Sequence, residues 1–99
     1  MATLQELLSD VDAARDEIVE LTQALVRIPT VNTGVMPTGN ETPAAELLSE
    51  RLTAEGIPTE IIESAPGRGN LVARWEGEGD GPSLMFMGHL DVVPAEDEE

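Results

Sequence analysis

Ninety-nine residues with 20 acids against 5 bases give a formal charge of −15, a surface that repels nucleic acid and anionic membranes, since both need clustered cations. The lack of cysteine excludes disulfides, thiolate metal sites and cysteine nucleophiles. No stretch approaches the ~20 apolar residues that cross a bilayer, and no basic, then apolar, leader opens the chain, so the expectation is a soluble, cytoplasmic protein. The length suits one small domain. With Trp75 and Phe86 as its two aromatics, its core must come from Leu, Ile, Val, Ala and Met. All 5 bases are Arg, which codon bias explains more simply than adaptation to high salt.

Leu4, Leu7, Val11, Ala14, Ile18, Leu21, Leu25 and Ile28 recur at steps of three and four, one face of an amphipathic helix. Thr3 with Glu6, and Ser9 with Asp12, both resemble helix starts, where a hydroxyl oxygen caps a free N–H and the acid suits the dipole. Pro29 stops the helix by pushing its predecessor out of the α region. Residues 30–41 hold Asn32, Gly34, Pro37, Gly39 and Asn40 and read as a loop. A second helix starts with Thr42 as N-cap and Pro43 in its first turn. Ala44, Leu47, Leu48 and Leu52 form its inner face, and Gly56 ends it.

Beyond Ile57 the period changes. Thr59–Glu63 and Asn70–Glu76 read as strands joined by a turn at Ala65–Gly69, and Gly77–Pro82 as a further turn. Ser83–Leu90 reads as a third strand, its apolar Leu84–Met87 run covered on both faces. The order predicts an α/β layer. The chain then closes in the acidic run Glu96–Glu99, most simply a solvated charge run. Nothing after Pro94 could cover the third strand's end, so the sequence reads as an incomplete piece of a larger domain.

The chemistry concentrates at the end of that third strand. Gly88 marks a place where a backbone would approach closely, and then come His89 and Asp91, whose spacing puts both side chains on one face of a strand. His89 could ligate a metal through a ring nitrogen. Asp91 could be a second ligand, or could accept the other ring N–H and fix the ring's tautomer. Spacing alone balances this evenly against a surface His bonded to its neighbour's carboxylate. Other motifs are weaker. The Gly77–Gly81 loop lacks Lys and carries two acids, so it is a turn rather than a phosphate cradle. Asn40–Thr42 matches a glycosylation acceptor, which is moot without secretion. No G-x-S-x-G elbow supports a serine hydrolase.

At Leu84–Ala95, LMFMGHLDVVPA, the chain resembles the zinc-dependent amidohydrolase and exopeptidase family of acetylornithine deacetylase, succinyl-diaminopimelate desuccinylase, aminoacylase, carnosinase-type dipeptidases and glutamate carboxypeptidase. Leu25–Thr30 (LVRIPT), Glu46–Gly56, Gly69–Ala73 and Gly81–Leu84 resemble further segments of that family, in order. The resemblance implies that residues 1–99 are the N-terminal portion of a catalytic domain, with helices packed on a mixed, largely parallel sheet. It implies His89 as a metal ligand in a two-zinc, or zinc and cobalt, centre and Asp91 as the catalytic acid that orients it. It also implies a small N-acyl amino acid or peptide as substrate and a separate dimerisation domain, not in this sequence, that would make the full-length protein a homodimer; the acidic charge argues against nucleic-acid and membrane partners. The bridging Asp, the Glu general base with its neighbouring ligand, the further acidic ligand and the distant His of that family are not in this sequence, which predicts an inactive fragment. Two alternatives stand beside this: a dipeptidase or carboxypeptidase of the same family, and a small acidic helical interaction module whose Leu4–Ile28 stripe pairs with a partner helix.

Overall fold

The computed structural model describes residues 2–95. The acidic run Glu96–Glu99 lies outside the described residues. The first helix, α1 (Leu4–Ala13), begins with a capping box: the Thr3 hydroxyl accepts the Glu6 N–H at 3.2 Å, and the Glu6 carboxylate accepts the Thr3 N–H. Ser9 and Asp12, the other candidate start, lie inside α1. The expected single helix is instead two segments, because α2 (Arg15–Val26) starts after Ala14, which leaves helical geometry at φ −90°, ψ 4°. The break is slight: Ala14 donates to Asp10 and Val11 and accepts from Ile18, so hydrogen bonding runs through it. α2 stops at Arg27, ahead of Pro29 as the sequence predicts.

After the loop comes α3 (Thr42–Ala54), whose N-cap is Glu41 rather than Thr42. Pro43 sits in its first turn, and Gly56 follows its end at φ 80°. Strands β1 (Thr59–Glu63) and β2 (Gly69–Ala73) form an antiparallel hairpin with Ile61 opposite Leu71. β2 is shorter than expected. The last bond of the ladder runs from the Arg74 N–H to the Pro58 carbonyl, and Pro58 has no N–H to extend it.

α3 packs on both strands of this hairpin, and there the centre of the fold lies. It is small: Ala44 and Ala45 are the buried apolar residues, and no large side chain among the described residues is fully buried. Leu47, Leu48 and Leu52, the expected inner face, are half-buried. Contact is close at Gly69, where an added Cβ would stand 2.7 Å from the Thr42 hydroxyl and 3.2 Å from its Cα.

Three expectations need correction. The sheet is a two-stranded antiparallel hairpin, not a mixed, largely parallel one; among the described residues parallel pairing is confined to a single bridge between Val31 and Val92. Ser83–Leu90 forms no strand, and Leu84–Met87 are exposed rather than covered on both faces. A strand needs a neighbour for its N–H and C=O groups, and β1 and β2 pair with each other alone. Accordingly Gly88 has nothing within 4 Å of where a Cβ would stand, so no backbone approaches it. Third, the stripe on α1 and α2 does not pack on the sheet; Leu4, Leu7, Val11 and Ile18 are exposed. The radius of gyration, 16.4 Å, therefore exceeds the ~13 Å of a compact chain this long. No helix among the described residues is long and apolar enough to cross a membrane.

The Gly69→Ala substitution forces the hairpin away from the first turn of α3. It is expected to cost about 1–3 kcal/mol, read as a lowered midpoint in urea unfolding followed by circular dichroism.

Candidate functional site

Two chain segments far apart in sequence meet at the site, with Asn32 and Asp91 59 residues apart. The Asn32 N–H donates to the Val92 carbonyl at 2.8 Å, and the Val92 N–H donates to the Thr30 carbonyl at 3.1 Å. This short parallel clamp holds the residues after Leu90 against the loop that follows α2. The loop keeps its shape through its own polar groups: the Thr38 hydroxyl bonds the Val35 carbonyl at 2.6 Å, and the Gly39 N–H reaches the Val31 carbonyl at 2.8 Å.

On this clamp the structure brings His89 and Asp91 together. His89 Nδ1 lies 2.8 Å from the Asp91 carbonyl oxygen and 3.0 Å from its carboxylate Oδ1. A carbonyl oxygen has no proton to give, so Nδ1 carries the hydrogen. In the neutral ring Nε2 is then the lone-pair nitrogen, and the His89 side chain is 83% exposed. The Asp91 carboxylate accepts a second bond at Oδ2, from Asn32 Nδ2 at 2.9 Å.

An ion pair stands behind them. Arg68, in the β1–β2 turn, donates from Nε to Glu41 Oε2 at 2.6 Å, and its Nη2 lies 4.0 Å from Asp91 Oδ2. The Glu41 carboxylate is buried, and its Oε1 has no hydrogen-bond partner. It faces Gly39, where a Cβ would come within 3.0 Å of Oε1 and 2.9 Å of the Arg68 guanidinium carbon. Gly39 also has φ +83°, so this is a position that only glycine fills without strain. The bond to Glu41 raises the Arg68 pKa above its already high ordinary value.

Two open concavities share His89 and Asp91. One, about 440 Å³, is walled by Glu41, Arg68, Asn70 and Gly88; the other, about 670 Å³, by Asn32, Thr33, Val92 and Pro94. Among the described residues no group of three or more His, Cys, Asp or Glu side chains converges to hold a metal ion. The donors present therefore fit a metal at one corner only: an imidazole nitrogen with its lone pair turned outward, and a carboxylate on the opposite ring nitrogen.

Sequence reasoning singled out His89 and Asp91 but not Asn32, Glu41 or Arg68. Asn32 was legible only as a loop former, and the bond it makes spans a distance no local pattern encodes. The one available hint was the scarcity of cations: with 5 bases in the chain, one placed inside a turn next to glycine stands out.

The bonds from Asn32 and then His89 hold the Asp91 carboxyl below the usual carboxylate range. The unfolded chain thus takes up this proton at higher pH than the folded one. The stabilisation is present above the ordinary value of about 3.9 and is lost as pH falls through the lowered folded value. The Asp91 carboxyl carbon, followed by NMR, is expected to titrate below that ordinary value and to move up toward it in Asn32→Ala.

No family model matches the chain. No solved structure matches it either. Among curated proteins, the chain is 39% identical over 80 residues to a succinyl-diaminopimelate desuccinylase of Delftia acidovorans, a match that covers 77% of this chain and 19% of that protein. The chain thus spans about a fifth of the length of that relative.

Proposed function

We propose that this chain is the N-terminal part of a metal-dependent hydrolase of amide bonds in N-acyl amino acids or small peptides, with His89 as a metal ligand and Asp91 as the acid that orients it. The observation that carries the reading is the His89–Asp91 bond, which keeps the proton on Nδ1 and leaves Nε2 with a lone pair to offer a metal. A carboxylate behind a ligating imidazole fixes the ring and raises its basicity. The partial likeness to a desuccinylase supports the hydrolase class and favours a deacylase over a dipeptidase or carboxypeptidase.

A metal held at His89 would supply Lewis-acid chemistry there, making a bound water more acidic and favouring negative charge on an attacked carbonyl. The residues on this chain supply a different part of the work. His89 offers one lone pair, and Asp91 holds its ring in one tautomer. Asn32 and Arg68 place a donor and a positive charge at the far oxygen of Asp91. A catalytic zinc commonly takes three protein ligands. The remaining ligands and the general base belong, in this reading, to residues other than those described.

Calorimetric titration of the chain with zinc is expected to show binding weaker than about 1 µM, lost in His89→Ala. Tighter stoichiometric binding would refute the reading that this chain holds one corner of the site, and binding indifferent to His89→Ala would refute the ligand assignment. In a longer protein that carries this sequence, His89→Ala is expected to remove one equivalent of metal by elemental analysis, together with hydrolysis of N-succinyl or N-acetyl amino acids. The exposed stripe on α1 and α2 favours a second reading, an interaction module that pairs with a partner helix. A stable helical oligomer in sedimentation, with no metal bound, would favour it.

A further inference from the structure

The two oxygens of the Asp91 carboxylate are treated differently by the fold. Oδ1 faces His89 Nδ1, whereas Oδ2 accepts the Asn32 amide and has the Arg68 guanidinium 4.0 Å away. Asn32 is itself held at three points. Its backbone N–H bonds the Val92 carbonyl, its side-chain Oδ1 accepts the Gly34 N–H at 2.8 Å, and its Nδ2 donates to Asp91. The Gly34 bond settles which way the amide points, since an NH2 group could not accept there. The donor is therefore delivered to Oδ2 from a fixed position, and Glu41 anchors the cation behind it.

We propose that Asn32 is a positioning residue: by holding Oδ2 it turns Oδ1 toward His89, where the carboxylate joins the Asp91 carbonyl oxygen, 2.8 Å from Nδ1, in holding the proton on Nδ1, and so sets the aim of the imidazole. Asparagine suits the task chemically. It donates to a carboxylate without neutralising it, and its carbonyl closes the local turn in the same stroke. A serine could close the turn but is too short to reach Asp91. An aspartate could close it but would set a second negative charge against Oδ2. The purpose of this device rests on the reading of His89 as a ligand; its geometry requires no metal.

His89 is the single histidine of the chain, so its ring nitrogens give one set of NMR signals. With the protein 15N-labelled and the pH held well above the ordinary imidazole value of about 6.5, the unsubstituted chain is expected to show a protonated Nδ1 and a lone-pair Nε2. Asn32→Ser, which keeps an acceptor for Gly34 and the backbone clamp, is expected to move both shifts toward the Nε2–H form by at least half as much as Asp91→Ala does. An Asn32→Ser spectrum that matches the unsubstituted chain would overturn the proposal, whether or not Asp91→Ala moves, as would an Nε2–H ring in the unsubstituted chain. If circular dichroism shows that Asn32→Ser has lost the fold, Asn32→Asp replaces it, with the same shift expected and the same overturning result. Zinc that leaves Nε2 unmoved in the unsubstituted chain would refute the ligand reading alone; a tautomer indifferent to residue 32 would refute the positioning role alone.

Discussion

The backbone clamp between residues 30–32 and Val92 is the interaction on which the rest of the site depends. Without it, the polypeptide after β2 would have no fixed relation to the helices, because Arg74–Leu90 forms no regular structure. Two backbone hydrogen bonds are a modest anchor, each contributing about 0.5–1.5 kcal/mol net. They gain from what surrounds them. Thr30 is buried, and the Asn32 side chain adds a third link on the same residue. The clamp converts a long sequence separation into a short spatial one, and His89, Asp91, Asn32 and Arg68 become neighbours through it.

The charge balance gives the Glu41–Arg68 pair a particular weight. The chain has few cations to spend among 20 acids, and it places one of them against a buried carboxylate. The contrast is Arg74 with Glu76, paired at 3.1 Å but more than four-fifths exposed on both sides. A surface pair of that kind contributes little. Arg68 differs because it touches Glu41 from inside the fold and approaches Asp91 from the same position. Removal of its guanidinium would leave Glu41 buried without a counter-charge, the more costly half of any such deletion. Gly39 belongs to the same arrangement, since only a residue without a side chain leaves room for the ion pair beneath the loop.

Features with a local cause were legible in the sequence. Thr3 and Glu6 gave away the start of α1, Pro29 the end of α2, and the change of period after Ile57 the first strand, Thr59–Glu63. Features that depend on a distant partner were not. The apolar run at Leu84–Met87 carries a strand's composition, yet composition supplies no neighbour, and among the described residues no strand lies alongside it. The same limit explains the unpacked stripe of α1 and α2: period alone shows that a face exists, not what covers it. The His89–Asp91 pair was readable because it is local, two residues apart. Asn32 was not, because its meaning is created by the clamp.

The exposure of Leu84–Met87 has a consequence for how separate copies of the molecule behave. Four consecutive apolar residues with unpaired backbone groups are a template for edge-to-edge association. Pro82 and Pro94 bracket the segment, and prolines resist incorporation into a growing ladder. The larger safeguard is long-range: at −15, each copy repels the next before their sticky segments can meet. That repulsion reaches about 10 Å at 0.1 M ionic strength and about 3 Å at 1 M. Colloidal stability of this chain is thus an electrostatic property, borrowed from the solvent rather than built into its packing.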